Sequence, residues 1–137
     1  MKKLLISTAN AEYQIITSLK QNRTKRSKLG EIFVEGIESI KQAQRAGVEF
    51  TRIITSDHMG LSDWAKGFIA ANQDATLVEM SAPLYRELCD RGEPSEIVVT
   101  AKIKAQSFWA IELSNNPCVL IFDRPRDHGN SGTILRS

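Results

Sequence analysis

The feature that most constrains this chain is a regular alternation of strand-like and helix-like segments over its first 103 residues. Short apolar runs bounded by polar residues are typical of buried strands. They lie at residues 32–34, 50–55, 76–80 and 97–103. Between them, apolar residues recur with the period of a helix face, most clearly Leu61, Trp64, Ala65, Phe68 and Ile69. The alternation predicts a layered α/β domain over residues 1–103.

The expected ends of the helices carry residues that favour caps. Asn10 and Ser81 each precede a periodic segment, where a short polar side chain can accept a hydrogen bond from a free backbone amide. Pro83 suits a first helical turn, and Gly47 suits the residue after a last turn. Residues 20–28 are expected to form a loop between the first helix and the strand at 32–34.

The pattern changes after residue 103. Residues 104–116 mix apolar and polar side chains, and a Ser-Asn-Asn-Pro turn signal follows at residues 114–117, so residues 104–116 are predicted to be an interdomain linker. Residues 118–122 then predict a fully buried strand of a parallel sheet, followed by a polar loop and a helix that opens at Ser131. Because one strand and the start of one helix cannot bury their apolar surface, residues 117–137 are expected to be the incomplete start of a second domain.

Cysteine content and hydropathy exclude several classes of protein. Cys89 and Cys118 form no CxxC pair, so no disulfide framework is expected. With only His58 and His128 beside them, no metal site is expected either. This cysteine usage suits the reducing cytoplasm. The apolar stretch at the amino terminus is too short for a signal peptide, and no apolar run is long enough to cross a bilayer.

The positive charge is concentrated in one segment. Five basic residues and no acidic residue lie between positions 20 and 28, namely Lys20, Arg23, Lys25, Arg26 and Lys28. Outside this segment the chain has 13 basic residues and 16 acidic residues, so the remainder is slightly negative. A local basic cluster is what phosphate binding requires, so Arg23, Lys25, Arg26 and Lys28 are candidate nucleic-acid contacts. The alternative is a solvated surface segment.

The most informative segment runs from residue 122 to residue 137 and has the sequence FDRPRDHGNSGTILRS. It is typical of a strand end, a glycine-containing turn and the start of a helix, where free backbone amides favour an anion. Gly129 and Gly132 permit close backbone approach, and Asn130 offers both a donor and an acceptor. On this pattern alone, the segment either binds a phosphate or only joins a strand to a helix.

Two motifs give the chain a resemblance to the SpoU (TrmH) family of RNA ribose 2′-O-methyltransferases. Near the end of the chain, an aspartate-bearing strand end precedes the pattern Asn130-x-Gly132-x-x-x-Arg136, which resembles the first motif of that family. Upstream, residues 27–36 (SKLGEIFVEG) resemble the substrate-binding signature of the family, a basic Ser-Lys segment that runs into Phe-Val-Glu-Gly. The resemblance covers the whole chain, with one motif at each end.

The resemblance implies a fold, a reaction and site residues. The amino-terminal domain would have the three-layer α/β/α fold of ribosomal protein L30e and bind RNA, and the second would begin a knotted SPOUT catalytic domain. S-adenosyl-L-methionine would be the methyl donor, rRNA or tRNA the substrate, and the longer protein a homodimer. Arg136 would act at the ribose 2′-hydroxyl, and Asn130 would hold the loop and the arginine in place or touch the ribose.

The chain departs from the family pattern at two points. His128 stands where the family often has proline, although the Asn-x-Gly spacing is kept. The second and third family motifs, which form the knot that holds S-adenosylmethionine, do not occur in the sequence, so no cofactor-binding residue is assigned. The 137-residue chain by itself is therefore expected to bind RNA and to be inactive as a methyltransferase.

Two other functions fit parts of the sequence. A non-catalytic RNA-binding module of the L30e-like type accounts for residues 1–103 but does not need the pattern from Asn130 to Arg136. A nucleotide-binding α/β domain would use the loop at 129–132 for phosphate, but that loop lacks the lysine and the spacing of a P-loop. The leading hypothesis is therefore the RNA methyltransferase.

Overall fold

The computed structural model describes residues 1–89, 92–103, 107–121 and 128–136. It divides the chain into two compact units, Met1–Ala105 and Gln106–Ser137. Among the described residues, no helix has the length and apolar character needed to span a bilayer. The elements of the first unit, in chain order, are β1 Lys3–Ile6, α1 Ala11–Gln21, α2 Arg23–Leu29, β2 Glu31–Glu35, α3 Ile37–Arg45, β3 Phe50–Ser56, α4 Asp63–Ala71, β4 Thr76–Met80, α5 Ala82–Leu88 and β5 Ile97–Lys102.

The five strands form one sheet in the order β1-β4-β3-β5-β2. β4 pairs in parallel with β1 and β3, whereas β5 runs antiparallel to both β3 and β2. The first four strands therefore run in one direction, and their carboxyl ends meet at the same end of the sheet. β1 and β2 are the edge strands, each with a strand neighbour on one side only within the described residues.

Helices cover both faces of the sheet, each over its own apolar cluster. On one face, α1 and α5 pack on a cluster that contains Tyr13 and Ile54. On the other face, α3 and α4 pack on a cluster that contains Phe68 and Ile53. Neighbouring residues of β3 thus supply opposite clusters, because successive side chains of a strand point to opposite faces. The predicted three-layer α/β/α architecture is confirmed.

The predicted caps are confirmed in part. The Asn10 side chain accepts a hydrogen bond from the Tyr13 amide at 3.0 Å and begins α1. Gly47, just beyond α3, adopts the left-handed conformation with a φ of 64°, which glycine tolerates without strain. Ser81 precedes α5 as predicted, but its side chain forms no capping hydrogen bond. The start of α5 is instead favoured by its proline, because the fixed φ of proline suits the first turn of a helix.

The basic segment is a helix and not the predicted loop. α2 begins after Asn22, whose side chain accepts a hydrogen bond from the Lys25 amide at 3.1 Å. It ends at Gly30, which has a φ of 65° and caps the helix in the left-handed conformation. No residue of α2 is buried, so no apolar stripe marks the helix in the sequence. The two caps are the local signal that indicates it.

β1 is a strand for which the sequence predicts no element. Leu4 and Ile6 pack against the cluster under α1 and α5, whereas Leu5 between them is 68% exposed. This alternation is that of an edge strand with one buried face. Four residues are too few for a hydrophobic period to be recognised, because strand patterns need a longer run of alternating side chains.

The second unit differs from its prediction. The predicted strand at 118–122 is not formed over residues 118–121, and residue 122 lies outside the described part. Leu120 and Ile121 are exposed, Ile121 by 86%. A strand forms when its backbone pairs by hydrogen bonds with a neighbouring strand. The described residues of this unit contain no neighbouring strand for this segment. The helix of this unit, α6 His128–Arg136, begins three residues before the predicted start at Ser131.

Candidate functional site

The basic helix α2 presents most of its charge to solvent. Arg23, Lys25 and Lys28 are exposed, whereas Arg26 is partly buried. α2 leads directly into β2, and at that junction the Gly30 carbonyl oxygen accepts a hydrogen bond from the Ile103 amide at 2.8 Å. The carboxyl end of the helix is therefore tied to the sheet, while three of the four candidate cations remain accessible to a phosphate.

Arg26 is held against the end of the preceding helix. Its Nη1 donates hydrogen bonds to the carbonyl oxygens of Leu19 at 3.1 Å and Lys20 at 2.9 Å. The last carbonyls of a helix have no amide partner within it, and the helix dipole favours a cation there. Arg26 therefore joins α2 to α1, which is a structural role that the sequence did not predict for it.

A groove of about 400 Å³ lies beside α2, between the end of α1 and the edge strand β2. Apolar and charged side chains line it together: Leu19, Lys20, Arg26, Ile32, Phe33 and Glu35. The Lys20 Nζ donates to the Leu88 carbonyl oxygen at 2.5 Å and lies 6.0 Å from the centroid of the Phe33 ring. The groove therefore brings two basic side chains, one acidic side chain and an aromatic ring together next to the basic helix.

A second charged cluster is centred on Arg52, the one charged residue of β3. Its Nε donates to Glu12 of α1 and its Nη1 to Glu31 of β2, both at 2.5 Å. The Arg52 side chain is only 16% exposed. Burial opposes its charge, but the two carboxylates outweigh burial and raise the pKa of Arg52. This cluster ties α1 and β2 to the centre of the sheet, so we assign it to the scaffold.

Beyond the carboxyl ends of β3 and β4 lies another groove, of about 320 Å³, whose lining includes His58, Tyr85 and Arg86. The Tyr85 hydroxyl donates to the Ser95 carbonyl oxygen at 2.7 Å. Burial, above all, raises the pKa of Tyr85 well beyond its ordinary value. The hydrogen bond of Tyr85 holds the segment before β5 against α5.

The residues predicted to act in catalysis lie in α6. Asn130 is exposed and is the third residue of the helix, so it lies within the first turn and not before it. The Thr133 hydroxyl donates to the Gly129 carbonyl oxygen at 3.0 Å in the same turn. Arg136 is the last residue of α6, and its side chain lies outside the described part of the chain. The structure therefore places the Asn-x-Gly and arginine positions on one helix.

The contacts of Lys20 and of Arg52 join residues that the sequence analysis did not connect. Lys20 belongs to the basic run, but the Leu88 carbonyl that it contacts is 68 positions away. Arg52 interrupts an apolar strand, and a lone charge in such a strand indicates a partner, because a buried charge is rarely left unpaired. That signal was available, but it does not identify Glu12 and Glu31 among the 16 acidic residues of the chain.

These observations define the class of protein. A protein-family model matches the part of the chain that contains β2, β3, β4, most of β5 and the five helices of the first unit. The model of the SpoU L30e-like domain matches residues 10–100, and the chain belongs to this family. The predicted membership of the SpoU family is thereby confirmed.

One relative and two solved structures give the match more detail. The 23S rRNA (uridine(2479)-2′-O)-methyltransferase of Streptomyces viridochromogenes is 30% identical over 133 residues, which cover 96% of this chain and 46% of that protein. The structure of the SpoU methyltransferase AviRb from the same organism, in complex with AdoMet, has a TM-score of 0.80 and 30% identity, covering 93% of this chain and 48% of that one. The structure of an RNA 2′-O ribose methyltransferase shares the fold, with a TM-score of 0.74, 22% identity and coverages of 97% and 50%. This chain spans about half the length of each of these three proteins.

Proposed function

We propose that this chain is part of an S-adenosyl-L-methionine-dependent methyltransferase that modifies the ribose 2′-hydroxyl of rRNA or tRNA. In this proposal residues 1–103 bind the RNA, residues 104–116 are the linker, and residues 117–137 begin the catalytic domain. The observation that carries it is a SpoU L30e-like domain followed by the pattern from Asn130 to Arg136. A module that only binds RNA has no need of that pattern.

We attribute RNA binding first to α2. Its exposed cations Arg23, Lys25 and Lys28 can each neutralise a phosphate and release a condensed counterion, which is the main source of sequence-independent affinity. Arg26 belongs to the same predicted set. Because its Nη1 already donates to two backbone carbonyls, we expect Arg26 to contribute less to phosphate binding than the other three.

The roles of Asn130 and Arg136 follow from the reaction. The cofactor, when bound, supplies a methyl group on a sulfonium, and the ribose oxygen must be held in line with it. The guanidinium of Arg136 is too basic to accept the hydroxyl proton. Its proposed role is to bind the phosphate next to the reacting ribose and to stabilise negative charge that develops on the 2′-oxygen. Asn130 would position the arginine or donate to the ribose.

The described residues do not fit S-adenosylmethionine. The cavity of the second unit, of about 490 Å³, is lined by Trp109, Ile111, Leu113, Cys118, Val119 and Leu120. These side chains supply no charged partner for the carboxylate and ammonium groups of the cofactor. We therefore assign no residue of this chain to the cofactor, and the proposal places its site in the part of the longer protein that the sequence does not include.

The proposal is tested with a chimera. The chain is joined to the part of the Streptomyces viridochromogenes enzyme that its alignment leaves unmatched, and tritiated methyl incorporation into bulk RNA is measured. We expect incorporation by the chimera, none by the 137-residue chain, and a loss of orders of magnitude in rate for Arg136→Ala in the chimera with RNA affinity nearly unchanged.

Two results would change the proposal. Full activity of the Arg136→Ala chimera would remove Arg136 from the catalytic site. RNA binding by a chimera that transfers no methyl group, while the relative itself is active in the same assay, would favour the non-catalytic L30e-like module.

We also infer that the longer protein is a cytoplasmic homodimer that associates through its catalytic domain, so the 137-residue chain is expected to sediment as a monomer.

A further inference from the structure

We propose that the groove beyond the carboxyl ends of β3 and β4 binds one unpaired nucleotide of the RNA, with its base in the groove and its phosphate at Arg86. This groove, of about 320 Å³, is called the carboxyl-end groove. Its lining includes Ser56, His58, Met59, Ala82, Arg86 and Pro94. The inference rests on the proposed function, because it specifies the form of RNA that the first unit recognises. None of these residues belongs to the basic run or to the two family motifs.

The carboxyl-end groove lies where the chain leaves two neighbouring strands in opposite directions. β3 and β4 are adjacent and parallel, and Ser56 pairs with Met80 at their carboxyl ends. From there β3 leads to α4 over one face of the sheet, whereas β4 leads to α5 over the other face. Diverging connections of this kind leave a crevice between them, which is where open α/β sheets bind their ligands. The position in the fold therefore favours a binding site.

The groove offers a base an apolar floor that the core holds in place. Its volume is within the range of small-ligand sites, near the lower end, which suits a single base. Met59 packs against the cluster under α1 and α5, to which the buried Tyr85 belongs. Pro94 is next to Ser95, whose carbonyl oxygen accepts the hydrogen bond of the Tyr85 hydroxyl at 2.7 Å. A base would therefore enter a groove that is already formed, with little loss of conformational entropy.

A buried hydroxyl in the groove has a donor to offer. Ser56 is 8% exposed, and its Oγ accepts a hydrogen bond from the His58 amide at 3.5 Å. Within the described part of the chain, this hydroxyl donates to no residue. Because a hydroxyl both accepts and donates, Ser56 can donate to a carbonyl oxygen or a ring nitrogen of a base. The carboxylate of Asp57, which is outside the described lining, lies 3.8 Å from the His58 Nε2.

Arg86 supplies the charge that a phosphate needs. It is exposed, and the described residues of the lining include no acidic side chain. Arg86 forms no ion pair or hydrogen bond with another residue that the structure describes, so its planar guanidinium is available for two parallel hydrogen bonds to a phosphate. An apolar floor, a buried donor and an unpaired guanidinium together fit a nucleotide better than they fit an apolar ligand or an anion alone.

The groove is separate from the basic helix. α2 leads into the amino end of β2, which runs in the same direction as β3, so the two surfaces lie at opposite ends of the sheet. Substitutions in the groove can therefore be distinguished from a loss of α2 contacts. A base within a duplex is stacked and cannot enter the groove, whereas an unpaired base can be turned outward. We therefore expect the groove to contribute to the binding of single strands only.

The first test fills the groove. Fluorescence anisotropy of the 137-residue chain is measured with a labelled single-stranded RNA, the same strand without bases, and a duplex. Ala82→Phe is expected to weaken binding of the intact strand by about tenfold and to leave the other two unaffected, because the ring occupies the space of the base. Ala70→Phe is the matched control, since Ala70 is exposed on α4 and outside the described lining. Unchanged affinity of Ala82→Phe, or equal losses in both variants, would overturn the proposal.

The second test removes the charge. Arg86→Ala is expected to weaken binding of the intact strand by about tenfold and to reduce the slope of log K against log salt by about 0.7, because one phosphate contact is lost. Arg45→Ala is the matched control, since Arg45 is exposed at the end of α3 and outside the described lining.

The results also separate the groove from the proposed function. If Arg86→Ala bound like the parent chain while replacement of the exposed cations of α2 weakened binding, RNA binding would stand and the groove would not be part of it. If the unchanged chain bound none of the three RNAs, the proposed function itself would fail, and the groove with it.

Discussion

The Nη1 of Arg26 lies 2.9 Å from the carbonyl oxygen of Lys20, to which it donates a hydrogen bond at the end of the preceding helix. Because of this contact, Arg26 has a different role from the other basic residues of α2. Arg26 supports the junction of α1 and α2, and Arg23, Lys25 and Lys28 remain exposed. Substitutions within one short helix should therefore separate an effect on stability from an effect on RNA affinity.

Arg26→Ala is expected to lower the free energy of unfolding by about 1–3 kcal/mol, because two helix-end carbonyls lose a charged donor. Lys28→Ala, on the same helix but exposed, is the control and should change stability by less than about 0.5 kcal/mol. Urea unfolding followed by circular dichroism measures both values. Equal stability of the two variants would show that the contacts of Arg26 do not contribute to folding.

Replacing Arg23, Lys25 and Lys28 together by alanine is expected to weaken RNA binding and to reduce the slope of log K against log salt by about 2, since each lost phosphate contact removes about 0.7 for a single strand. Adding Arg26→Ala should reduce the slope little further. Lys66→Ala on α4 serves as a control for a change of charge alone. An unchanged slope in the triple variant would remove α2 from the interface.

Tyr85 predicts a loss of stability in alkaline solution. Because burial raises the pKa of its hydroxyl above the unfolded value, near 10, the folded state resists ionisation. The linked stability is complete below pH about 10 and is lost as the pH rises further. Tyr85→Phe loses the hydrogen bond to Ser95, worth about 1 kcal/mol, but has no proton to lose. The stability difference between the parent chain and this variant, measured by urea unfolding, should therefore be constant below pH about 9 and shrink above 10.

Arg52→Met is expected to lower the free energy of unfolding by about 2–4 kcal/mol, because Glu12 and Glu31 keep their charge without the cation that offsets it. Adding Glu31→Gln to this variant should recover part of the loss. Lys66→Met is the control, since the pair of Lys66 with Asp63 is exposed and should be worth less than about 1 kcal/mol. Thermal unfolding of the four chains measures these differences, and equal losses in the two single variants would contradict the scaffold role of Arg52.

The sequence by itself determined the elements whose signal is local. The stripe from Leu61 to Ile69 and the strands near Ile53, Val78 and Val99 could be predicted, because the period of apolar side chains is set by the backbone geometry of the element that carries them. The motifs at residues 27–36 and 130–136 together indicated the SpoU family, and membership of that family is confirmed. The period of apolar side chains gave no signal where a segment was too short, as in β1, or buried no residue, as in α2.

The tertiary structure alone decided which partners these elements have. The strand order and the antiparallel direction of β5 depend on pairing between distant segments. The same holds for the contacts of Lys20 with Leu88 and of Arg52 with Glu12, which join residues far apart in the chain. Residues 118–121 show the opposite case: this apolar run has no neighbouring strand among the described residues, so it remains exposed and forms no strand. The period of apolar side chains predicts which face of a segment is buried. Only the tertiary structure determines which segment packs on that face, because hydrogen bonds and burial are properties of pairs of residues and not of either residue alone.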